Sequence, residues 1–313
     1  MHPHGHDTPH TDEHDAPPAA PGVSVRPARH DDLVAMEAIT ADSYHRVDVA
    51  NHPRSWAAPA PRETARSQAW IQRTAAALAS DPQGCWVAES DGRVVGCAIS
   101  RIREGMWILS SFAVAADVQG RGIGRALLEA AQSYGRGCLR GMFASSADPA
   151  AVRRYRAAGF DLHPQMLLRG VLDRDALPHP DRVLEAHGIP RDLLDSTDRA
   201  ARGSARGEDH DLLAAQFRLL VRDDTSGSGY AYVGESGPAL IAATTRRAAT
   251  ALLWASLATT TPGAQVQVAH VTAANQWALD VAVAARLSVH TQGYLCVRHM
   301  LPPTHYIHHG SLL

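Results

Sequence analysis

The sequence predicts an α/β protein built from two consecutive modules, each a mixed β-sheet flanked by helices. The chain has 313 residues, about twice the size of a usual domain, and 45% of them are hydrophobic. Strand-like and helix-like patterns alternate along most of its length. In addition, RALLEAA at 125–131 resembles TALLWAS at 250–256, as expected for an internal repeat.

The first module begins with the strand-like VSVRPA at Val23, and HDDLVAMEAI follows as a helix with acidic residues in its first turn. Residues 43–63 are expected to be irregular, and a second helix is expected over 63–79. CWVAES and RVVGCAISRI flank Asp91-Gly92, which predicts a hairpin with a type I′ turn. The strand MWILSSFAV and a glycine-rich turn come next. They precede a helix over 122–134, a strand over 139–145, a helix over 150–158 and a strand containing 167–171.

The charged, proline-bearing stretch that follows is interpreted as a linker with short helical pieces. From Leu212 the pattern predicts a helix, the strands GYAYV and PALIAAT, and a helix over 246–257. The strand VQVAHV, a helix over 274–287 and a strand over 294–297 complete the second module. The predicted division is therefore a disordered His/Pro-rich tail over 1–21, modules over 22–174 and 211–313, and a linker over 175–210.

The composition argues against several functions. Thirty basic residues face 32 acidic ones, for a formal net charge of −2, so no nucleic-acid partner is expected. All the basic residues are Arg, which excludes Schiff-base chemistry and a Walker lysine. No apolar run approaches about 18 residues and no secretory pattern is present, so no membrane partner is expected. The four Cys form no C-x-x-C pair, which predicts reduced thiols, no metal site and a cytoplasmic location.

The stretch VAADVQGRGIGR, from Val114 to Arg125, carries the chemical signal. It lies between a strand and a helix with an apolar face, and Gly120, Gly122 and Gly124 open the turn. Glycines let successive backbone N–H groups approach an anion at a helix N-terminus, so the turn suits a pyrophosphate. A dinucleotide fingerprint is excluded because Arg125 stands where its third glycine belongs, and a Walker loop needs a lysine.

The remaining pattern, Q-x-x-G-x-G at Gln119, Gly122 and Gly124, resembles the GNAT superfamily of acyl-CoA-dependent N-acyltransferases. A second motif of that family, N-x-x-A-x-x-x-Y-x-x-x-G-F, has its counterpart at 148–160, with Asp148 in place of Asn. The order of elements over about 150 residues also matches the family.

The second half looks like a degenerate GNAT module. The motif positions of 148–160 recur at 275–287, and QGRGIG corresponds to TTRRAA at 244–249, which contains no glycine. We expect a duplication, although two unrelated amphipathic helices would produce a similar pattern. The whole chain then resembles tandem GNAT proteins with one active and one decayed copy.

The resemblance implies that acetyl-CoA is the cosubstrate. Phe112 and Val114 would pair with its pantetheine arm through their backbone, and Asp148 would either touch that arm or cap a helix. The family holds the pyrophosphate in the turn, which here comprises Gln119, Gly120, Arg121, Gly122, Ile123, Gly124 and Arg125.

Two catalytic residues follow from the resemblance. Tyr155 stands where the family often has the acid that protonates the leaving thiolate, although a packing role is the alternative. Ser110 stands where many members have a basic Glu, so a water relayed by Ser110 is one candidate for proton removal. Glu104, His45 and His52 are further candidates, and an amine that binds already neutral is another possibility.

The resemblance implies acetyl transfer to a primary amine of a small molecule or peptide by direct attack in a ternary complex. The acceptor wall would be Ser43–Arg62, with Tyr44, His45 and Trp56. A non-catalytic acyl-CoA sensor or scaffold is the main alternative, and activity in the C-terminal half is a third. An oligomer is compatible with all of them.

Overall fold

The computed structural model describes residues 22–179 and 181–313. The predicted disordered tail at 1–21 lies outside the described residues. Among the helices of the described part, none is long and apolar enough to cross a membrane.

The first half follows the predicted order of elements. The Asp91-Gly92 turn has φ values of 51° and 73°, as a type I′ turn requires, which confirms the hairpin. The elements are β1 (Val23–Pro27), α1 (Leu33–Asn51), α2 (Thr64–Ser80), β2 (Cys85–Ser90), β3 (Arg93–Arg103), β4 (Met106–Val114), α3 (Ile123–Tyr134), β5 (Arg140–Ser145), α4 (Pro149–Ala157) and β6 (Asp161–Val171).

Helix α1 is longer than predicted, because the expected irregular segment at 43–63 is helical up to Asn51. Asp42 and Arg46 form an ion pair at 2.7 Å one turn apart, which supports the helix. The first proline of the segment is Pro53, so nothing before it interrupts the backbone hydrogen bonds. Only 52–63 form the connection to α2.

The second half repeats this order of elements from about residue 184. Its last strand is followed by a short additional one near the end of the chain. The elements are β7 (Leu184–Glu185), α5 (Arg191–Arg202), α6 (Asp209–Ala214), β8 (Arg218–Asp224), β9 (Gly227–Gly234), β10 (Gly237–Ala243), α7 (Arg246–Ala258), β11 (Gln265–Thr272), α8 (Gln276–Ala284), β12 (Ser288–Arg298) and β13 (Tyr306–Ile307).

The interpretation of 175–210 as a linker was wrong, because α5 packs on β9 and β10. Its charges suggested an exposed segment, yet Asp198 and Arg202 are buried and Asp198 pairs with the buried Arg206 at 2.7 Å. The linker prediction assumed that these charged residues are exposed. Because they are buried as ion pairs, their charges do not indicate an exposed segment. Strand β8, which begins shortly after α6, was also not predicted from the sequence.

The sheets join the two halves. One sheet has eight strands in the order β1-β2-β3-β4-β5-β12-β6-β11, and the other has five in the order β13-β10-β9-β8-β7. In the larger sheet, β12 of the second half pairs antiparallel with β5 and β6, and β6 of the first half pairs with β11. Strand β12 of the second half therefore pairs with strands of the first half, and β6 of the first half pairs with strands of the second.

Helices cover both faces of the sheet in the first half. On one face, Met36 of α1 and Trp70 of α2 pack against Val87 and Ile99. On the other, Leu127 of α3 packs with strand residues from β3, β4 and β5. This layering confirms the predicted α/β class with a mixed sheet flanked by helices.

Candidate functional site

The glycine-rich turn between β4 and α3 has the backbone that an anion site requires. Gly120 has φ 82° and Gly122, the residue that precedes the helix, has φ 80°. Side chains disfavour this left-handed region, so glycine is the natural residue at both positions. Gly122 begins α3 with no side chain capping its amides.

The backbone amides of this turn are not used by the fold itself. Among residues 22–179 and 181–313, no protein acceptor binds the backbone N–H groups of 120–124. Gln119 donates from its Nε2 to the carbonyl of Val114 at 2.9 Å, which braces the loop against β4. The free amides lie at the positive end of the helix dipole, where an anion is stabilised.

The other side chains of the turn divide into packing and surface residues. Ile123 is buried and anchors the start of α3 in the core. Arg121 is exposed, and Arg125 is exposed and paired with Glu129 at 2.6 Å. Within the described part of the chain, no contact fixes either Arg over the turn.

Gly124 has a role that the sequence analysis did not identify. It lies in the first turn of α3 with ordinary helical geometry, so no left-handed φ requires glycine there. A Cβ at Gly124 would lie 2.8 Å from Cζ of Arg154, which extends from α4. Glycine at this position therefore lets the Arg154 guanidinium rest against α3.

Strands β4 and β5 diverge beside this turn. They pair in parallel only at Met106–Ile108 and Arg140–Met142. Beyond that point the edge of β4 that carries Phe112 and Val114 has no β5 partner. At this open edge the carbonyl of Val114 accepts from Gln119 and from Oγ of Ser43, and the N–H of Phe112 donates to Tyr44. An extended ligand would pair with the remaining backbone groups of the edge or replace these contacts.

Tyr155 lies at this divergence. Its ring packs edge-on against Phe143 of β5 at 4.6 Å and against Phe112 of β4 at 6.1 Å, measured between centroids. Burial raises the pKa of its hydroxyl well above the ordinary value. No protein hydrogen bond to that hydroxyl exists within the described residues, and the group stays protonated at neutral pH.

Ser110 lies in a β-bulge on β4, because Ser111 pairs with Ile99 and Leu109 with Ser100. Its Oγ is buried without a hydrogen-bond partner among the described residues. It lines a cavity of about 10 Å³, roughly the space for one water molecule. Trp70, Arg73, Thr74, Ile99, Arg101, Ser111, Ser311 and Leu312 complete the lining.

Tyr44 approaches the same segment of β4 from α1. The backbone N–H of Phe112 donates to its hydroxyl at 3.4 Å. Ser111 accepts from Nε1 of Trp70 at 3.2 Å. The fold therefore brings Ser110, Phe112, Tyr155 and Tyr44 to one short stretch of β4.

Asp148 caps α4. Its Oδ1 accepts from the amide of Ala151 at 2.8 Å, and Pro149 begins the helix. The helix-cap alternative of the sequence analysis accounts for this contact.

The structure gives the other candidate bases different surroundings. Glu104 lies at the β3–β4 turn, bound to Arg199 at 2.6 Å and to the amide of Ala205, which lower the pKa of its carboxyl. This carboxylate is held in an ion pair, which argues against the suggestion that it acts as the base. His52 follows the end of α1, and Nδ1 of His45 is buried with no partner in the described part of the chain.

The corresponding region of the second half is closed. Thr245 begins α7, and its hydroxyl accepts from the amide of Ala248 at 3.2 Å, where the first half leaves amides free. Strand β13 pairs with β10 at Ile241 and Ala242, and the amide of Ala243 donates to His305. The chain itself thus occupies the open edge of β10.

One group of possible metal ligands occurs among the described residues: Asp195, Asp198 and His210. Nη1 of Arg206 lies 2.7 Å from both carboxylate oxygens of Asp198. The guanidinium already supplies the positive charge that this carboxylate needs, so the group fits a buried ion-pair network.

Comparisons with known proteins agree with this geometry. Residues 44–160 match the acetyltransferase (GNAT) family. A Pyrococcus horikoshii protein provisionally described as an acetyltransferase superposes with a TM-score of 0.71, 18% identity and coverage of 99% of both chains. GCN5-related N-acetyltransferases from Kribbella flavida and Sphaerobacter thermophilus give TM-scores of 0.55 and 0.54 at 14% and 12% identity. They cover 88% and 91% of this chain and 70% and 98% of their own. No curated protein matches the sequence. Residues 44–160 are therefore similar to the GNAT acetyltransferase domain, and the chain shares the fold of these solved structures.

Proposed function

We propose that the protein is an N-acetyltransferase that moves an acetyl group from acetyl-CoA to a primary amine of a small molecule or peptide. The observation that carries this proposal is the position of the unpartnered amides of 120–124 beside the open edge of β4, with Tyr155 at the divergence of β4 and β5. The diphosphate of acetyl-CoA would bind the amides, and its extended pantetheine arm would lie along the open edge of β4. The leaving thiol would then lie beside Tyr155.

The residues present fit the cosubstrate. The amides of Gly120, Gly122 and Gly124 would hold the diphosphate, and the backbone at Phe112 and Val114 would pair with the arm. Gln119 holds the turn in place through Val114. Bound there, acetyl-CoA would supply an activated acyl group as a thioester.

Tyr155 is the proposed general acid. The phenol is protonated at neutral pH and can donate a proton to the leaving thiolate sulfur, although the burial that raises its pKa in the free protein also makes it a weaker acid than an exposed tyrosine. Packing against Phe112 and Phe143 holds the ring at the end of the cleft.

Ser110 is the proposed first group of a proton path from the amine. Its buried, unpartnered Oγ can accept a proton contact from the amine and donate to one water in the adjoining cavity. A hydroxyl is too weak a base to hold the proton, so Ser110 acts by relay. Direct attack of the neutral amine in a ternary complex needs no covalent enzyme species.

The acceptor would lie between α1 and the connection 52–63. Tyr44 closes one side, and Trp56 on the connection lies under the guanidinium of Arg169, 4.0 Å from the ring centroid. A mixed aromatic and cationic wall suits an amine that also carries polar groups.

The second half is proposed to be a degenerate copy. Its elements follow the order of the first half, and β6 and β12 take reciprocal places beside β11 and β5. Thr245 and β13 occupy the groups that would hold a cosubstrate.

A non-catalytic acyl-CoA sensor is the alternative, favoured by Ser110 in place of a basic residue. The two functions are separated by incubating the full chain with acetyl-CoA and a panel of amines, with mass spectrometry of the products. An enzyme forms acetylated amine and CoA in equal amounts, whereas a sensor binds acetyl-CoA and forms neither above the uncatalysed rate.

A further inference from the structure

Arg154 is a cation without a carboxylate partner beside the proposed diphosphate site. It precedes Tyr155 on α4, and its guanidinium crosses to α3. A Cβ built on Gly124 would lie 2.8 Å from Cζ, 3.0 Å from Nη2 and 3.1 Å from Nη1 of Arg154. Among the described residues, no acidic side chain lies within 4.0 Å of this guanidinium, whereas Arg125 and Arg156 each have one.

The aromatic ring of Phe112 holds this guanidinium from the other side. Cζ of Arg154 lies 5.7 Å from the ring centroid of Phe112, within the range of a cation–π contact. The cation is thus fixed between the first turn of α3 and the open strand β4. Its burial is partial, which leaves donors available to a ligand.

We propose that Arg154 binds the diphosphate of acyl-CoA, together with the amides of the α3 N-terminus. The inference rests on the proposed function and assigns a binding residue to that site. A guanidinium presents a fork of donors that suits phosphate oxygens, and the neighbouring amides point to the same anion.

This assignment also explains why position 124 is glycine. Helical geometry there accepts any side chain, but the space over its Cα is filled by Arg154. A methyl group at 124 would displace the guanidinium while leaving the left-handed turn at Gly120 and Gly122 intact.

The test is calorimetric binding of acetyl-CoA and of dephospho-CoA, which lacks only the 3′-phosphate among the phosphates, to the full chain. Arg154→Gln should weaken both by about 10- to 100-fold, as expected for a lost charge-assisted hydrogen bond. Arg153→Gln is the matched control, because Arg153 is an exposed neighbour on α4. Equal melting temperatures would show that the variants are folded.

Two results would overturn the assignment, and a third would remove its explanation of the glycine at position 124. Equal affinities of Arg154→Gln and Arg153→Gln would show that Arg154 does not bind the cosubstrate. If Arg154→Gln weakened the binding of acetyl-CoA but not that of dephospho-CoA, the guanidinium would bind the 3′-phosphate instead of the diphosphate. Full additivity of Gly124→Ala and Arg154→Gln would show that the two positions act independently. A wild-type chain that binds no acetyl-CoA would instead contradict the proposed function itself.

Discussion

Cys296 of β12 lies opposite Phe143 of β5 in an antiparallel register. These two residues belong to different halves of the chain, and Phe143 is also a contact of Tyr155. The sheet beneath the proposed active site is therefore completed by a strand of the second half. This relationship gives the second half a structural role that requires no catalytic chemistry.

Residues 1–174 expressed alone should be poorly soluble or melt at a markedly lower temperature. Without β12, strands β5 and β6 lose their shared neighbour and expose backbone edges and apolar side chains. Circular dichroism and size exclusion against the full chain measure the effect. Deletion of 1–21 alone is the control, because it removes no described strand. A monomeric fragment that melts at the temperature of the full chain would contradict this prediction.

Gly122→Val should abolish measurable acetyl-CoA binding, and Gly124→Val should weaken it at least as much as Arg154→Gln, for a different reason. At Gly122 the left-handed backbone costs a β-branched residue roughly 1–2 kcal/mol or more, so the turn would rearrange. At Gly124 the new side chain would meet Arg154. Gly137→Val is the control, because a Cβ there meets no atom within 4 Å and its φ is not left-handed. Wild-type affinity in the first two variants by calorimetry would show that the turn is not the binding site.

Tyr155→Phe should lower kcat by roughly 10²- to 10⁴-fold at most, with little change in acetyl-CoA affinity. The variant keeps the ring contacts with Phe112 and Phe143 and removes only the proton donor. Tyr134→Phe is the matched control, since the Tyr134 hydroxyl binds Asp81 away from the cleft. An unchanged kcat would leave Tyr155 as a packing residue.

The sequence predicted the first half well because its signals are local. The Asp91-Gly92 hairpin, the turn around Gly122 and the helix periodicity each depend on neighbouring residues. The buried Asp198–Arg206 pair was missed, since hydropathy treats two paired charges like two exposed ones. The exchange of strands between the two halves could not be predicted from the sequence either. The alternating apolar residues of β12 could pack equally well in the sheet of either half.

The candidate site was predicted in outline by its motif and completed only by the fold. Gly122 was predicted from the glycine-rich turn, and Tyr155 from the resemblance to the second motif of the family. Arg154 carries no sequence signal, because a charged residue on a short helix usually faces solvent. Its role depends on the approach of α4 to α3, which no local pattern specifies.

Titration should yield one acetyl-CoA bound per chain. In the second cleft Thr245 caps α7 by accepting from the amide of Ala248, the segment 244–249 contains no glycine, and β13 pairs with β10 where an arm would lie. Calorimetry with the full chain measures the number of sites. The Gly122→Val variant should bind no acetyl-CoA. Two sites in the wild type, or one persisting in the variant, would show that the second half binds the cosubstrate.

The free energy of unfolding should fall as the pH drops below about 6.5, the ordinary pKa of histidine. Burial lowers the pKa of His270 to about 4 and that of His309 to about 3, while His308 is held well below its usual range. The folded state therefore binds fewer protons than the unfolded chain between these values. Stability is fully present above pH 6.5 and is lost toward pH 4, by at most about 1.4 kcal/mol per pH unit for each group.

The geometry explains why these rings must stay neutral. Nδ1 of His309 accepts from the amides of Ser311 and Leu312 at 3.1 Å, so a proton there would break both bonds. His270 and His308 stack with ring centroids 4.4 Å apart, where two charges would repel. Urea unfolding from pH 8 to pH 4.5 measures the slope. His309→Gln, whose amide oxygen can accept the same two hydrogen bonds, should reduce the dependence of the unfolding free energy on pH. The substitution His187→Gln, at an exposed position, should leave that dependence unchanged. An identical slope in all three proteins would remove His309 as its source.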